Sequence, residues 1–103
     1  MDEATLFTLL KTIGLPVAYH HYVSPPSPPY VVYLFTYSGN FSADNTAYIK
    51  SNNYQIELYT TNKDPVSEKL IEDLFDAGDM FWDKSEESIE SEGLYQVVYE
   101  INI

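Results

Sequence analysis

The sequence predicts an α+β fold in which two helices pack on one side of a mainly antiparallel sheet of about four strands. Two segments carry apolar residues at helical spacing, and several others alternate, or are rich in β-branched and aromatic residues, as strands are. The two helical segments are separated by a block of consecutive strand segments, which favours segregated layers. The chain has 103 residues, so we expect a single domain over residues 1–103.

The first predicted helix lies close to the start of the sequence. Its apolar stripe repeats at i, i+3, i+4 and i+7, at Leu6, Leu9, Leu10 and Ile13. Asp2 is suited to cap the start of this helix, and Gly14 can take the left-handed conformation after its end. Pro16 prevents the helix from continuing.

Two strand segments flank a proline-rich connector. Residues 17–23 are predicted as a strand, and four prolines between Pro25 and Pro29 fix an extended connector after it. A PxxP ligand is the alternative reading of the connector. We prefer a stiff loop, because no basic residue lies nearby. Residues 30–37 are β-branched and aromatic throughout, so we expect an interior strand there.

The middle of the chain is predicted as a loop followed by a short hairpin. Residues 38–40 form a turn signal and residues 41–45 a polar loop. Residues 46–50 are predicted as a short strand that turns at 51–53 into a strand over 54–61. In that last strand Tyr54, Ile56 and Leu58 alternate with polar residues, which is typical of a strand with one wet face.

The second predicted helix begins with Asp64 as its cap and Pro65 at its first position, and Gly78 ends it. We expect its buried stripe to comprise Leu70, Ile71, Leu74 and Phe75, and its wet side to comprise Glu68, Glu72, Asp73 and Asp76. Residues 80–82 are predicted to pack beneath a sheet edge, and residues 83–93 to form an acidic loop or ragged edge. A strand over 94–103 closes the chain, with one face comprising Tyr95, Val97, Tyr99, Ile101 and Ile103.

Charge is the most informative bulk property. Sixteen acidic residues face five lysines and no arginine, for a formal net charge of −11. Nucleic-acid backbones are bound by cations, so this composition argues against direct nucleic-acid binding and against anionic membranes. The start of the chain resembles no secretory signal, and no apolar run reaches the roughly 20 residues of a membrane span. We therefore expect a soluble protein made in the cytoplasm.

No catalytic, cofactor-binding or metal-binding residue is predicted, and we expect no cofactor and no enzyme. The chain has no cysteine, and its four glycines are dispersed, so nucleotide and hydrolase motifs are missing. His20 and His21 would point to opposite faces of a strand, which disfavours a shared metal. Residues 73–78 place a glycine at position 6 of a calcium loop, but Phe75 and Ala77 occupy ligand positions.

The predicted sheet is larger than two short helices can cover. One of its faces would remain partly exposed and rich in tyrosine, since ten of the residues are Tyr. Such a face favours association with copies of the same chain.

Three segments resemble small structural proteins of siphophages and prophages of Gram-positive bacteria. They are YQIELYTTNKDP at 54–65 before an acidic helix, PPYVVYL at 28–34 and LYQVVYE at 94–100. The resemblance covers most of the chain and implies a tail-completion or tail-terminator-like protein that joins head to tail. These motifs are structural and carry over no catalytic residue.

The resemblance implies a virion protein at the head–tail junction, assembled in the host cytoplasm. Its partners would be copies of itself in a ring, often hexameric, and the tail-tube and head-connector proteins. Residues 40–45 and 83–93 are candidate contacts with neighbouring rings, because they are polar and predicted as loops. The alternative function is a small acidic inhibitor that imitates DNA and occupies a host nucleic-acid enzyme.

Overall fold

The computed structural model describes residues 1–39 and 51–103 in full, and the backbone of two short strands at 41–43 and 46–49. The elements in chain order are α1 (Glu3–Lys11), β1 (Val17–Tyr19), β2 (Tyr30–Ser38), β3 (Phe41–Ala43), β4 (Thr46–Ile49), β5 (Asn52–Thr60), α2 (Pro65–Ala77), β6 (Trp82–Ile89) and β7 (Leu94–Asn102). The main sheet has the order β1-β2-β5-β7-β6, and only the β1–β2 pair is parallel. The predicted α+β class is confirmed, with one more strand in the sheet than expected.

Both helices begin where the sequence predicts. The Asp2 carboxylate accepts a hydrogen bond from the Thr5 backbone N–H at 2.8 Å, and Asp64 accepts one from the Ser67 N–H at 3.1 Å. Each bond satisfies one of the backbone donors that a helix start leaves without a partner. Gly14 has a φ of +83°, the left-handed conformation predicted after the first helix.

The buried side of α2 is rotated from the predicted one. Leu70 is 42% exposed, whereas Glu68, which we expected on the wet side, is only 3% exposed. Ile71 and Phe75 are fully buried, as predicted. A charged residue can occupy this buried position because lysines from two other segments reach its carboxylate, as described below.

The first strand is much shorter than predicted. The prediction of a strand over 17–23 is wrong beyond Tyr19, because His20 adopts a left-handed conformation with a φ of 69° and turns the chain. The His20 N–H still donates to the Tyr33 carbonyl at 2.8 Å, so the strand ends while attached to β2. β2 lies between β1 and β5, which confirms the prediction of an interior strand.

The predicted hairpin between residues 46–50 and 54–61 is wrong. β4 pairs with β3, whereas β5 begins at Asn52 and pairs with β2 and β7. Residues 41–43 were predicted as loop and form β3 instead. Residues 40, 44 and 45 of the predicted turn and loop, and residue 50, lie outside the described part of the chain.

The prediction of a loop over residues 83–93 is also wrong for most of its length. Residues from Trp82 to Ile89 form β6, which pairs with β7 in continuous antiparallel register. A single 3-10 turn over Glu90–Glu92 and a left-handed Gly93 then connect the two strands. The sequence did not predict this strand, because an edge strand with mostly exposed, polar side chains has no alternating apolar pattern.

The core lies between the two helices and one face of the sheet, which we call the covered face. Leu6, Leu10, Ile71 and Phe75 supply the helical side. The covered face consists of Val31, Tyr33, Tyr54, Ile56, Leu58, Val97, Tyr99 and Ile101. Val97, Tyr99 and Ile101 are buried, which confirms the predicted face of the last strand.

Candidate functional site

The other face of the sheet, which we call the open face, is the main candidate for function. The side chains of the open face alternate along each strand with those of the covered face. They therefore point away from both helices, which pack on the covered face. The open face consists of Tyr30, Val32 and Leu34 from β2, Gln55, Glu57 and Tyr59 from β5, and Gln96, Val98 and Glu100 from β7. Most of these side chains are half-buried, and the face mixes apolar, amide and acidic groups.

A hydrogen-bonded group of side chains occupies the middle of the open face. The Glu57 carboxylate accepts hydrogen bonds from Gln55 Nε2 at 2.6 Å and from the Tyr59 hydroxyl at 2.9 Å. Gln96 Nε2 in turn donates to the Tyr59 hydroxyl at 2.9 Å. Burial raises the pKa of Tyr59, and its hydrogen bond to Glu57 raises it further, so this hydroxyl stays protonated.

The two histidines meet at one end of the open face. Nδ1 of His20 lies 3.2 Å from Nδ1 of His21, and the rings are 5.3 Å apart at an angle of 88°. The expectation that they point to opposite faces was wrong, because the strand ends before them. A hydrogen bond between these nitrogens requires that one imidazole carry a proton on Nδ1 and that the other lack it.

A cleft of about 170 Å³ lies beside these histidines, and we call it the tyrosine cleft. The side chains that matter for its chemistry are His20, His21, Tyr22, Tyr30, Tyr59 and Glu92. They come from the loop after β1, from β2 and β5, and from the turn before β7. The fold therefore brings together residues that are up to about 70 positions apart in the sequence.

Three tyrosine rings form a continuous aromatic surface in this cleft. Tyr22 and Tyr30 meet edge to face with centroids 5.4 Å apart, and Tyr30 stacks on Tyr59 at 5.0 Å. Burial raises the pKa of both Tyr22 and Tyr30, and the charge of Glu92 adds to the rise at Tyr30. The high tyrosine content is the only sign of this cluster in the amino-acid sequence.

Exposed aromatic side chains lie at the opposite end of the sheet. Phe35, Tyr37 and Phe81 are 42%, 62% and 77% exposed, and we call these three residues the aromatic end. Tyr37 and Phe81 line one cleft of about 200 Å³ together with Asn53 and Glu100. Phe35 instead packs on the ring of Tyr54, which belongs to the covered face. Aromatic residues are enriched at protein interfaces, so the cleft beside Tyr37 and Phe81 is suited to a protein partner.

A second polar cluster lies between α2 and β6. Nζ of Lys63 is 2.8 Å from Glu68 Oε2, and Nζ of Lys84 is 3.1 Å from Glu68 Oε1. Burial raises the pKa of Glu68, but the two lysines outweigh it, so the net pKa lies below its usual value. The carboxylate is therefore charged at neutral pH and anchors α2 to its neighbours.

The same cluster reaches the core through a tyrosine. The Tyr99 hydroxyl donates to Glu72 Oε2 at 2.7 Å, and Lys84 Nζ lies 2.9 Å from that oxygen. Burial raises the pKa of Tyr99, and its bond to Glu72 raises it further. We assign this cluster a structural role, because each of its groups already has a partner within the fold.

The remaining sequence candidates are dispersed. Residues 73–77 belong to α2 and therefore form no calcium loop. Within the described residues, no group of three or more histidine, cysteine or acidic side chains is placed to hold a metal ion. Of the two loops expected to contact neighbouring rings, residues 40, 44 and 45 are outside the described part, and residues 83–89 lie in β6.

Comparison of the chain with protein-family models and with curated proteins gave no match. No helix among the described residues has both the length and the apolar character needed to cross a membrane.

Proposed function

We propose that this protein is a structural subunit of tailed-phage assembly that completes the tail or joins head to tail as a ring of identical copies. The observation that carries the proposal is the aromatic end, where Phe35, Tyr37 and Phe81 are exposed at one end of the sheet. Large aromatic side chains gain most by leaving water when a partner covers them. The resemblance of three segments to phage tail-completion proteins selects this assembly among others.

The contacts of a ring are heterologous, so each subunit needs two different surfaces. The aromatic end supplies one of them, and the open face of the next subunit supplies the other. The exposed edge of β6 is unsuited to self-pairing, because Asp83, Glu86 and Glu87 would meet the same acids of another copy. Face contacts are therefore favoured over edge contacts in this assembly.

Light scattering behind a sizing column, at near-physiological and at high salt, tests the oligomer. We expect a discrete species, because closed cyclic symmetry fixes the number of subunits, and the resemblance to ring-forming tail proteins implies about six copies. High salt should favour the species, because it screens the repulsion between subunits of net charge −11. A strict monomer under both conditions would contradict self-assembly of the free protein.

A pair of variants tests the surface. Phe81→Ser removes a side chain that is 77% exposed, and Val66→Ser removes one on α2 that is 74% exposed. We expect Phe81→Ser to reduce the oligomer at concentrations where Val66→Ser leaves it intact. Equal behaviour of the two variants would exclude the aromatic end as the contact. Antibody labelling of virions tests the location, with signal expected at the head–tail junction.

Two observations favour the acidic-inhibitor alternative. Most of the sixteen acidic residues have no lysine to neutralise them. Ion pairs already engage three of the lysines, Lys63, Lys69 and Lys84, and a fourth, Lys11, lies over the Phe7 ring. The molecule is also elongated, measuring 50 × 28 × 23 Å. Neighbouring portal and tail genes would support assembly. Competition with DNA for a purified host nuclease or polymerase would support inhibition.

A further inference from the structure

We propose that the tyrosine cleft binds an organic cation, namely the alkylammonium or guanidinium group of a small molecule or of a partner's lysine or arginine. This inference goes beyond the ring assembly and does not require it. It rests on the aromatic surface, the nearby carboxylates, the unpaired hydroxyl of Tyr22 and the size of the cleft.

The aromatic surface provides the attraction for a cation. The face of a tyrosine ring carries partial negative charge, and a cation within about 6 Å of the ring centroid is attracted to it. Tyr22 and Tyr30 are nearly perpendicular, at 79°, and both line the cleft, so two rings of different orientation bound it. Tyr59 extends the aromatic surface by stacking on Tyr30 at an angle of 20°.

Charge around the cleft has the sign that a cation needs. Glu92 lies in the lining, and Glu57 is hydrogen-bonded to the hydroxyl of Tyr59 at 2.9 Å. Among the described residues, no lysine lines the cleft. Glu92 is close enough to Tyr30 to raise the pKa of its hydroxyl, after the larger effect of burial. A bound ammonium group would therefore have aromatic rings and a carboxylate within reach.

One hydroxyl in the cleft lacks a protein partner. The Tyr22 oxygen is buried and forms no hydrogen bond to the described residues. A buried hydroxyl without a partner costs about 1–3 kcal/mol, so a ligand that donates to its oxygen is favoured. Ammonium and guanidinium groups are donors, so either can donate a hydrogen bond to the Tyr22 oxygen.

Size selects the class of cation. A cleft of about 170 Å³ is smaller than the roughly 300–1,000 Å³ of pockets for drug-sized ligands, and it suits one side chain or a short amine. A bare metal ion would find two imidazole ligands in this cleft, from His20 and His21. No third ligand completes a metal set in the described part of the chain.

The test is an NMR titration of tyrosine ring resonances with n-butylammonium at fixed ionic strength. The neutral comparator is 1-butanol, which has the same chain length and no charge. We expect saturable shifts of the Tyr22, Tyr30 and Tyr59 rings with the amine and much smaller ones with the alcohol. Shifts of equal size with both compounds, or no saturation with the amine, would overturn the proposal.

Charge-removing variants locate the site. Glu92→Gln should weaken n-butylammonium binding roughly fivefold, the effect of about 1 kcal/mol. Glu90→Gln removes a neighbouring exposed acid that does not line the cleft, and it should change the affinity by less than about twofold. Circular dichroism checks that both variants fold. An equal loss of affinity in the two variants would mean that the overall negative charge of the protein, and not the cleft, attracts the amine. That result would overturn the proposal.

Two further ligands distinguish the source of the cation. The first is spermidine, and the second is a pentapeptide with one central lysine. Tighter binding of spermidine supports the cleft as a site for a free amine, and tighter binding of the peptide supports it as a site for a partner's side chain. Failure of both ligands to displace n-butylammonium would overturn the proposal.

Discussion

The covered face and the open face belong to the same strands, but the tyrosine hydroxyls of the two faces have different hydrogen-bond partners. On the covered face, Tyr54 and Tyr99 bury their rings and donate their hydroxyls to Glu3 and Glu72 on the helices, at 2.9 and 2.7 Å. On the open face, the Tyr59 hydroxyl bonds to side chains of the sheet itself. The covered face thus uses tyrosine to bind two layers together, whereas the open face leaves its aromatic surface to other partners.

This comparison shows that burial alone does not define a core position. Burial raises the pKa of Tyr54 to about 12, with a further contribution from its bond to Glu3, so the hydroxyl remains a donor over the whole neutral range. Tyr30 is also buried, at 7% exposure, although it lies on the open face beneath Tyr22. The difference between the faces is therefore what covers them, a helix or a loop.

The largest expected effect compares two phenylalanines. Phe75 is fully buried beneath the covered face, and Phe81 is 77% exposed at the aromatic end. Phe75→Ala should lower the free energy of unfolding by about 4 kcal/mol, because it leaves a cavity in the core. Phe81→Ala should change it by less than about 0.5 kcal/mol. Urea denaturation of the two variants measures both values, and similar losses would contradict the assignment of the two environments.

Adjacent valines in β7 sharpen the comparison of the faces. Val97 lies on the covered face at 2% exposure, whereas Val98 lies half-buried on the open face. We expect Val97→Ala to cost about 2–3 kcal/mol and Val98→Ala less than about 1 kcal/mol. Thermal and urea unfolding of the two variants give these differences. A larger loss for Val98→Ala would mean that the open face is already part of the core of the free protein.

The buried carboxylate of α2 gives the next effect. Glu68→Gln should lower the free energy of unfolding by about 1–2 kcal/mol at neutral pH, because two lysines lose their charged partner. The value is at the low end for a buried pair, since the Lys63 and Lys84 side chains are 45% and 36% exposed and water screens them.

The same variant tests a pH dependence. The folded-state pKa of Glu68 lies below its ordinary value of 4.5. The stability it contributes is therefore present above pH 4.5 and lost as the pH falls through the folded pKa. Unfolding measured between neutral and acidic pH should show a smaller decline for Glu68→Gln than for the unaltered protein. Parallel curves would show that other carboxylates account for the decline.

The smallest effect concerns the start of the helix that covers the sheet. Asp64→Ala removes the cap of α2 and should cost about 1 kcal/mol. Asp64→Asn keeps an oxygen that accepts from the Ser67 N–H, so its cost should be a few tenths of that value. Differential scanning calorimetry resolves the difference. Equal losses for both variants would show that the charge of Asp64, and not its hydrogen bond, stabilises the helix start.

Much of the fold could be predicted because local patterns express it. The caps Asp2 and Asp64 and the alternation of Ile56 and Leu58 are signals within a few residues. The β6 strand lacked such a signal, because its position depends on backbone pairing with β7 and not on apolar side chains. The buried position of Glu68 was missed for a similar reason, since its lysine partners are 5 and 16 residues away.

The site was less predictable than the fold. The contact of His20 with His21 depends on one backbone angle, the φ of 69° at His20, which the sequence does not reveal. The tyrosine cleft joins Tyr22 to Tyr59 and Glu92 only through the sheet register and the loop that lies over it. Tyrosine-rich composition predicted an aromatic surface but could not place it.

The acidic outer strand has a consequence for handling the protein. β6 has one free edge, and its exposed acids include Asp83, Glu86 and Glu87. These charges keep separate molecules from adding strand to strand, as charged edge residues do in other sheet proteins. Acidification protonates the carboxylates of β6 and also reduces the net negative charge of the whole protein. The protection of the strand edge against fibril growth, and the repulsion that keeps molecules apart in solution, would therefore be lost over the same pH interval. Purification and storage at neutral pH preserve both.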